Sequence, residues 1–143
     1  MPTRREARER ALGLAYEAEI RGVDLGAILG EQPVRPDEYA CRLVDGVAEH
    51  ADEIDALLRK YSEHWALERM PVVDRTLLRL STFELGWVED VPPAAVITEA
   101  VELAKQYSTK DSGRFVNGML GRIAEDLRGQ GPEQPEEPEQ PAP

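Results

Sequence analysis

The sequence predicts an all-α fold. Ala, Leu, Glu and Arg are plentiful and alternating runs of Val, Ile and Thr are scarce, a balance that favours helix over sheet. Apolar residues recur every three to four positions along most of the chain. Every proline between Pro33 and Pro93 falls between those periodic stretches and not inside them. The length of 143 residues suits one domain with one core, expected over 1–128 and followed by a tail over 129–143.

Thr3 can cap a helix that begins at Arg4, with Glu6 as the reciprocal capping-box partner. Ala7, Ala11, Leu14, Ala15 and Ala18 form its narrow apolar stripe, and Arg21-Gly22 supplies a stop near Ile20. Leu25 to Leu29 predicts a short second helix closed by Gly30. Pro36 sits where a first-turn proline belongs, and Asp37 and Glu38 after it suit the positive end of a helix dipole. Tyr39, Leu43, Val47, Ile54, Leu57 and Leu58 keep a helical period in two helices that divide near His50 to Asp52. Ser62 to Arg69 reads as a connector pinned by Trp65 and Leu67. From Pro71, the run Val73, Leu77, Leu80, Leu85 and Trp87 leaves only Arg75, Arg79 and Thr82 as a polar strip, the pattern of a central helix. A helix follows from Pro93 to Tyr107 on the stripe Val96, Ala100, Leu103, Ala104 and Tyr107. The last runs from Asp111 to Arg128 on Phe115, Val116, Met119, Leu120, Ile123, Ala124 and Leu127. From Gly129 onward only Gly, Gln, Pro, Glu and Ala occur, so the acidic tail is expected to be disordered.

The composition excludes several function classes. There is no Gly-rich phosphate loop, no nucleophile elbow and no dinucleotide fingerprint, so neither enzymatic activity nor a cofactor is expected. His50 and His64 have no second His or Cys at ligand spacing, and Cys41 is the sole cysteine, read as a packed thiol, so no metal site is expected. Met1 to Arg5 has no apolar segment behind its charges, and no apolar run approaches the ~20 residues of a membrane span. The expectation is a cytoplasmic protein without a membrane partner. The formal net charge of −11 repels nucleic acid overall, so any RNA contact must come from a local basic patch or from a partner that supplies charge.

Two such patches are legible. Arg4, Arg5, Arg8 and Arg10 crowd the first helix, and at about 100° per residue Arg4, Arg5 and Arg8 share one edge while Arg10 points away. Grouped guanidiniums can hold successive phosphates. The bland alternative is a solvated face balanced by Glu6 and Glu9. The second patch mixes cations with aromatics around a helix-turn-helix junction: Lys105, Tyr107, Lys110, Arg114 and Phe115 flank Ser108 to Gly113. Bases stack on such rings and a new helix N-terminus meets phosphate. Equally, Tyr107 and Phe115 can be core anchors and Asp111 a cap.

Six blocks follow one another along the chain: Arg4-Arg5-Glu6-Ala7-Arg8-Glu9 with Ala11-Leu12 and Tyr16; Leu43-Val44-Asp45-Gly46-Val47; Trp65-Ala66-Leu67-Glu68-Arg69-Met70 with Asp74-Arg75; Phe83-Glu84-Leu85; Glu99-Ala100-Val101-Glu102-Leu103-Ala104-Lys105; and Phe115-Val116-Asn117-Gly118-Met119-Leu120. Taken together, these blocks resemble the NusB family. They run in the family order from Arg4 to about Ile123. The resemblance implies about seven helices in two small bundles packed across each other. It implies a transcription antitermination factor that binds boxA-type RNA together with NusE, a ribosomal protein, and helps RNA polymerase pass terminators, notably in ribosomal RNA operons. It assigns RNA binding to Arg4, Arg5 and Arg8, and to Lys110, Asp111, Arg114 and Phe115 at the junction. It matches Tyr16 and Asp74 to the NusE contact. Glu6 and Glu9 interrupt the basic cluster, which implies weak RNA binding without the partner. The alternative is a protein–protein scaffold or homo-oligomeric adaptor without RNA binding, and the sequence leaves a homodimer open.

Overall fold

The computed structural model describes residues 2–63 and 65–129. Among these residues the structure is all helix: α1 (Arg4–Arg21), α2 (Leu25–Ile28), α3 (Glu38–Glu49), α4 (Ala51–Tyr61), α5 (Val72–Trp87), α6 (Pro93–Tyr107) and α7 (Ser112–Arg128), with short 3-10 turns at Leu29–Glu31 and Leu67–Arg69. The expected tail lies outside the described residues apart from Gly129, and His64 lies outside them as well. No described helix is long and apolar enough to cross a membrane.

The ends of α1 follow from local chemistry. The Thr3 hydroxyl accepts from the Glu6 N–H and the Glu6 carboxylate accepts from the Thr3 N–H, which completes the capping box. At the other end Gly22 takes φ +69, and the N–H of Val23 returns to the Ala18 carbonyl, so the left-handed turn that glycine permits closes the helix. The predicted Ala/Leu stripe of α1 is buried throughout. Pro36 departs from expectation. It precedes the N-cap of α3, a place taken by Asp37, whose carboxylate accepts from the Ala40 N–H. A side-chain acceptor satisfies an orphan amide directly, which a proline in the first turn does not. Trp65 also departs: Leu67 pins the connector at 2% exposure, whereas Trp65 stays 48% exposed.

Two groups of helices meet across α5. α1, α2 and α3 pack together on one side, α4, α6 and α7 cluster on the other, and α5 packs against α1, α3, α4, α6 and α7. α5 is buried on every face, as its apolar excess predicts, and its polar strip is largely enclosed: Arg75 and Thr82 are buried, as are Asp74 and Glu84. Charges in such a place must be paired. Each partner lies on a different element. Arg75 donates to the carbonyls of Leu67, Glu68 and Met70 in the connector and to Glu19 of α1. Arg79 forks onto Asp55 of α4 at 2.8 and 3.0 Å. Glu84 and Asp74 address the two parts of the candidate site.

α3 and α5 approach closely in the core. A Cβ on Gly46 would stand 2.2 Å from the Phe83 ring, so only glycine fits there. Gly46→Ala should destabilise the protein by about 1–3 kcal/mol, since the buried Phe83 ring must shift to admit the added carbon. Gly121→Ala in α7, where nothing lies within 4 Å of the added carbon, should stabilise by about 0.5–1 kcal/mol. Urea unfolding midpoints of the two variants check the pair; equal shifts would show that the Gly46–Phe83 approach is not limiting.

Candidate nucleic-acid interface

The four arginines of the first helix separate into distinct environments. Arg4 is exposed and its guanidinium lies 4.0 Å over the Tyr39 ring. Arg5 is exposed and forks onto Glu99 of α6, with Nε donating at 2.8 Å and Nη2 at 3.0 Å. Arg8, expected on the same solvent edge, is buried: its side chain donates from Nε and Nη2 to Glu84, each at 2.8 Å, with 10% and 2% of the two side chains exposed. The Tyr39 hydroxyl donates to the same Glu84 carboxylate. Burial, reinforced by that hydrogen bond, pushes the Tyr39 phenol far above its ordinary value, so it stays a neutral donor. Arg10 faces away and donates to Gln32. Periodicity placed Arg8 beside Arg4 and Arg5 correctly, but a residue on the border of the apolar stripe turns inward when a carboxylate waits there, and Glu84 is 76 positions away.

The second patch is organised by Asp74. That carboxylate, 2% exposed, accepts from the hydroxyls of Ser108 and Ser112. The Ser112 hydroxyl also accepts from the Thr109 N–H. The α6–α7 turn is thereby fastened to the first turn of α5 from beneath. Asp111 makes no capping hydrogen bond and is exposed, as are Lys110 and Arg114. Phe115 is half-buried against the core and its ring meets that of Trp65 at 5.4 Å. Gly113 lets the stem of Lys105 lie across the start of α7, 3.2 Å from where a Cβ would stand.

The two patches share one side of the molecule. α1 and α6 make little backbone approach among the described residues, and long side chains span the gap: Arg5 to Glu99, and the Tyr107 hydroxyl to Glu9. From Glu99 to Tyr107, where α6 ends, is about 12 Å at helical rise, and Lys110 follows three residues on. Hydrogen bonding from Arg5 holds the Glu99 carboxyl below the usual carboxylate range. The Arg5–Glu99 pair is therefore complete at neutral pH and is lost only as pH falls through that lowered value. Below Tyr107 lies a cleft of about 350 Å³ lined by Glu9, Leu12, Gly13, Tyr16, Val73 and Tyr107, with Tyr16 and Tyr107 exposed at its rim. Tyr16 thus sits on an open surface, while Asp74 is enclosed nearby. Glu84, Tyr39 and Glu99 were not singled out from the sequence; no local spacing signals an ion pair between residues so far apart.

The NusB family's sequence pattern matches residues 5–125. The chain belongs to the NusB family. The transcription antitermination protein NusB of Salinispora tropica is 49% identical over 132 residues, covering 87% of this chain and 97% of that one. Its counterpart in Saccharopolyspora erythraea is 51% identical over 130 residues, covering 87% and 88%. Among solved structures, NusB of T. maritima superposes with a TM-score of 0.80 at 39% identity, over 92% of this chain and 95% of that one. A crystal structure of antitermination factors NusB and NusE in complex with dsRNA also matches, at TM-score 0.73 and 32% identity, over 86% and 96%. These neighbours bear out the all-helical fold expected from the sequence.

Arg8→Ala should cost about 3–5 kcal/mol, because it strands the Glu84 carboxylate in the core. Arg5→Ala, which removes an exposed pair, should leave the stability nearly unchanged. Arg8→Met combined with Glu84→Leu should recover most of the loss. Denaturant titration compares all three; an Arg8→Ala variant as stable as Arg5→Ala would mean that the buried pair does not join α1 to α5.

Proposed function

We propose that this chain is a transcription antitermination adaptor that binds boxA-type single-stranded RNA jointly with NusE and so helps RNA polymerase read through terminators, notably in ribosomal RNA operons. The observation that carries the reading is that α1, with exposed Arg4 and Arg5, is tied side by side to α6 through Arg5–Glu99 and Tyr107–Glu9, and α6 leads directly into the junction with exposed Lys110 and Arg114. Family membership and the similarity to a NusB–NusE–dsRNA complex support it. The work is that of a binding adaptor and not of a catalyst, and acting on nascent RNA implies a cytoplasmic setting.

In this reading Arg4, Arg5, Lys110 and Arg114 meet phosphates, Phe115 stacks on a base, and the Asp111 carboxylate accepts from a base-edge amino group. Arg8 acts by fixing the turn that carries Arg4 and Arg5. A basic ribosomal protein suits a chain of net charge −11, and Tyr16 with its cleft supplies an apolar anchor point of the kind that interfaces favour. Asp74 serves that contact from beneath, by holding the Ser108–Ser112 turn in place. One observation favours the scaffold alternative: Arg5 is already neutralised by Glu99, which lowers the free positive charge at the edge. A homodimer that covers the same edge would compete with RNA.

Anisotropy of labelled boxA-type RNA, titrated with the protein and equimolar NusE over a range of salt, separates the readings. Arg4→Ala with Arg5→Ala should weaken binding and flatten the log–log salt slope by about 0.7 for each phosphate no longer neutralised. An unchanged slope sinks the phosphate role and leaves the scaffold reading. Glu99→Gln should tighten RNA binding a few-fold, roughly the worth of an exposed ion pair, because phosphate then no longer competes with a carboxylate for Arg5.

A further inference from the structure

Trp65 is a large aromatic side chain that the fold leaves 48% exposed, yet holds in place. Its backbone N–H donates to the Ser62 carbonyl at 3.1 Å, and the turn that follows is clamped by the Arg75 guanidinium through three carbonyls. Its ring faces Phe115 at 5.4 Å with the planes tilted by 40°. The core does not need Trp65 for anchoring, since Leu67 does that two residues on. An exposed ring of this size, kept rigid, is suited to receiving another flat apolar group.

What surrounds the pair indicates which flat group fits. Arg114 is exposed immediately before Phe115 in the chain, and Lys110 lies just before α7. One turn after Phe115, on the same face of α7, Gly118 presents no side chain, and nothing lies within 4 Å of where its Cβ would be. A further turn along, exposed Arg122 donates to the Tyr61 carbonyl at 3.1 Å, which holds its guanidinium at the far edge of that gap. An aromatic wall, an open floor and a cation at either end match one nucleotide, with its base on the ring and its phosphates toward the arginines.

We propose that Trp65 and Phe115 form a stacking platform for one unpaired nucleobase, with Gly118 leaving room for it and Arg114 and Arg122 meeting the flanking phosphates. The proposal rests on the RNA-binding reading above and extends the RNA path from the α6–α7 junction to the α4–α5 connector. A platform of this kind selects strands whose base faces are free, because a duplex keeps them stacked on each other.

The test uses the full chain with NusE and a labelled single-stranded boxA-type RNA. In a Trp87→Phe background Trp65 is the only tryptophan of the chain, and RNA should quench its emission while the same sequence as a duplex should not. Trp65→Ala should weaken RNA binding about five- to 150-fold, the range for losing one base–aromatic stack, with an unchanged salt slope and unchanged NusE affinity. Trp65→Phe should restore most of the binding, which guards against a folding artefact. Unquenched Trp65 emission, or full affinity in Trp65→Ala, overturns the platform and leaves the RNA reading intact. A loss of NusE affinity with RNA binding retained also overturns it and assigns the patch to the protein partner. If the unaltered pair binds no RNA, the reading beneath the proposal fails with it.

Discussion

The enclosure of α5 is the constraint from which the rest of the architecture follows. A helix buried on all sides has no solvent face on which to leave its charges, so each must find a partner on whatever element packs nearby. Glu84 draws in Arg8 and Tyr39, Asp74 takes two serine hydroxyls from the α6–α7 turn, Arg75 clamps the connector, and Arg79 holds α4. Apolar packing alone would bring these elements together with several near-equivalent registers. The paired charges distinguish among them, because a slipped helix leaves a charge in the core without its counterpart.

The same constraint explains how an acidic protein presents a basic edge. Arg8 is drawn inward and Arg10 faces away, so Arg4 and Arg5 are what the first helix shows on this side. Even these are held by neighbours, Arg4 over the Tyr39 ring and Arg5 in the fork of Glu99. Surface pairs of this kind contribute little to stability. Their larger effect is on the local potential: the edge is partly neutralised until something with a stronger claim on guanidinium arrives, and phosphate is such a group.

Much of this is legible in the sequence. The boundaries of α1, α6 and α7 follow from Thr3–Glu6, Gly22, Pro92-Pro93 and the stripe through Phe115 to Leu127, all of which are local signals. The central place of α5 follows from its excess of apolar residues. What the sequence does not reveal is long-range. Nothing local distinguishes Arg8, which is buried, from Arg5, which is exposed, since both lie near the border of the stripe and the carboxylates that sort them are 76 and 94 positions away. Trp65 misleads for a related reason. A tryptophan in a connector is ordinarily the anchor, but Leu67 and the Arg75 clamp already fill that role.

Arg8 lies one helical turn from Arg4, and that separation has an entropic consequence. A helix is stiff over a single turn, so locking the Arg8 guanidinium into the core also confines the backbone that bears its neighbours. The flexible reach left to Arg4 and Arg5 is that of their own side chains and no more. Ordering a mobile arm on association commonly consumes part of the interaction energy; here most of that ordering is already complete in the free protein, so a ligand meeting this edge loses less freedom in doing so.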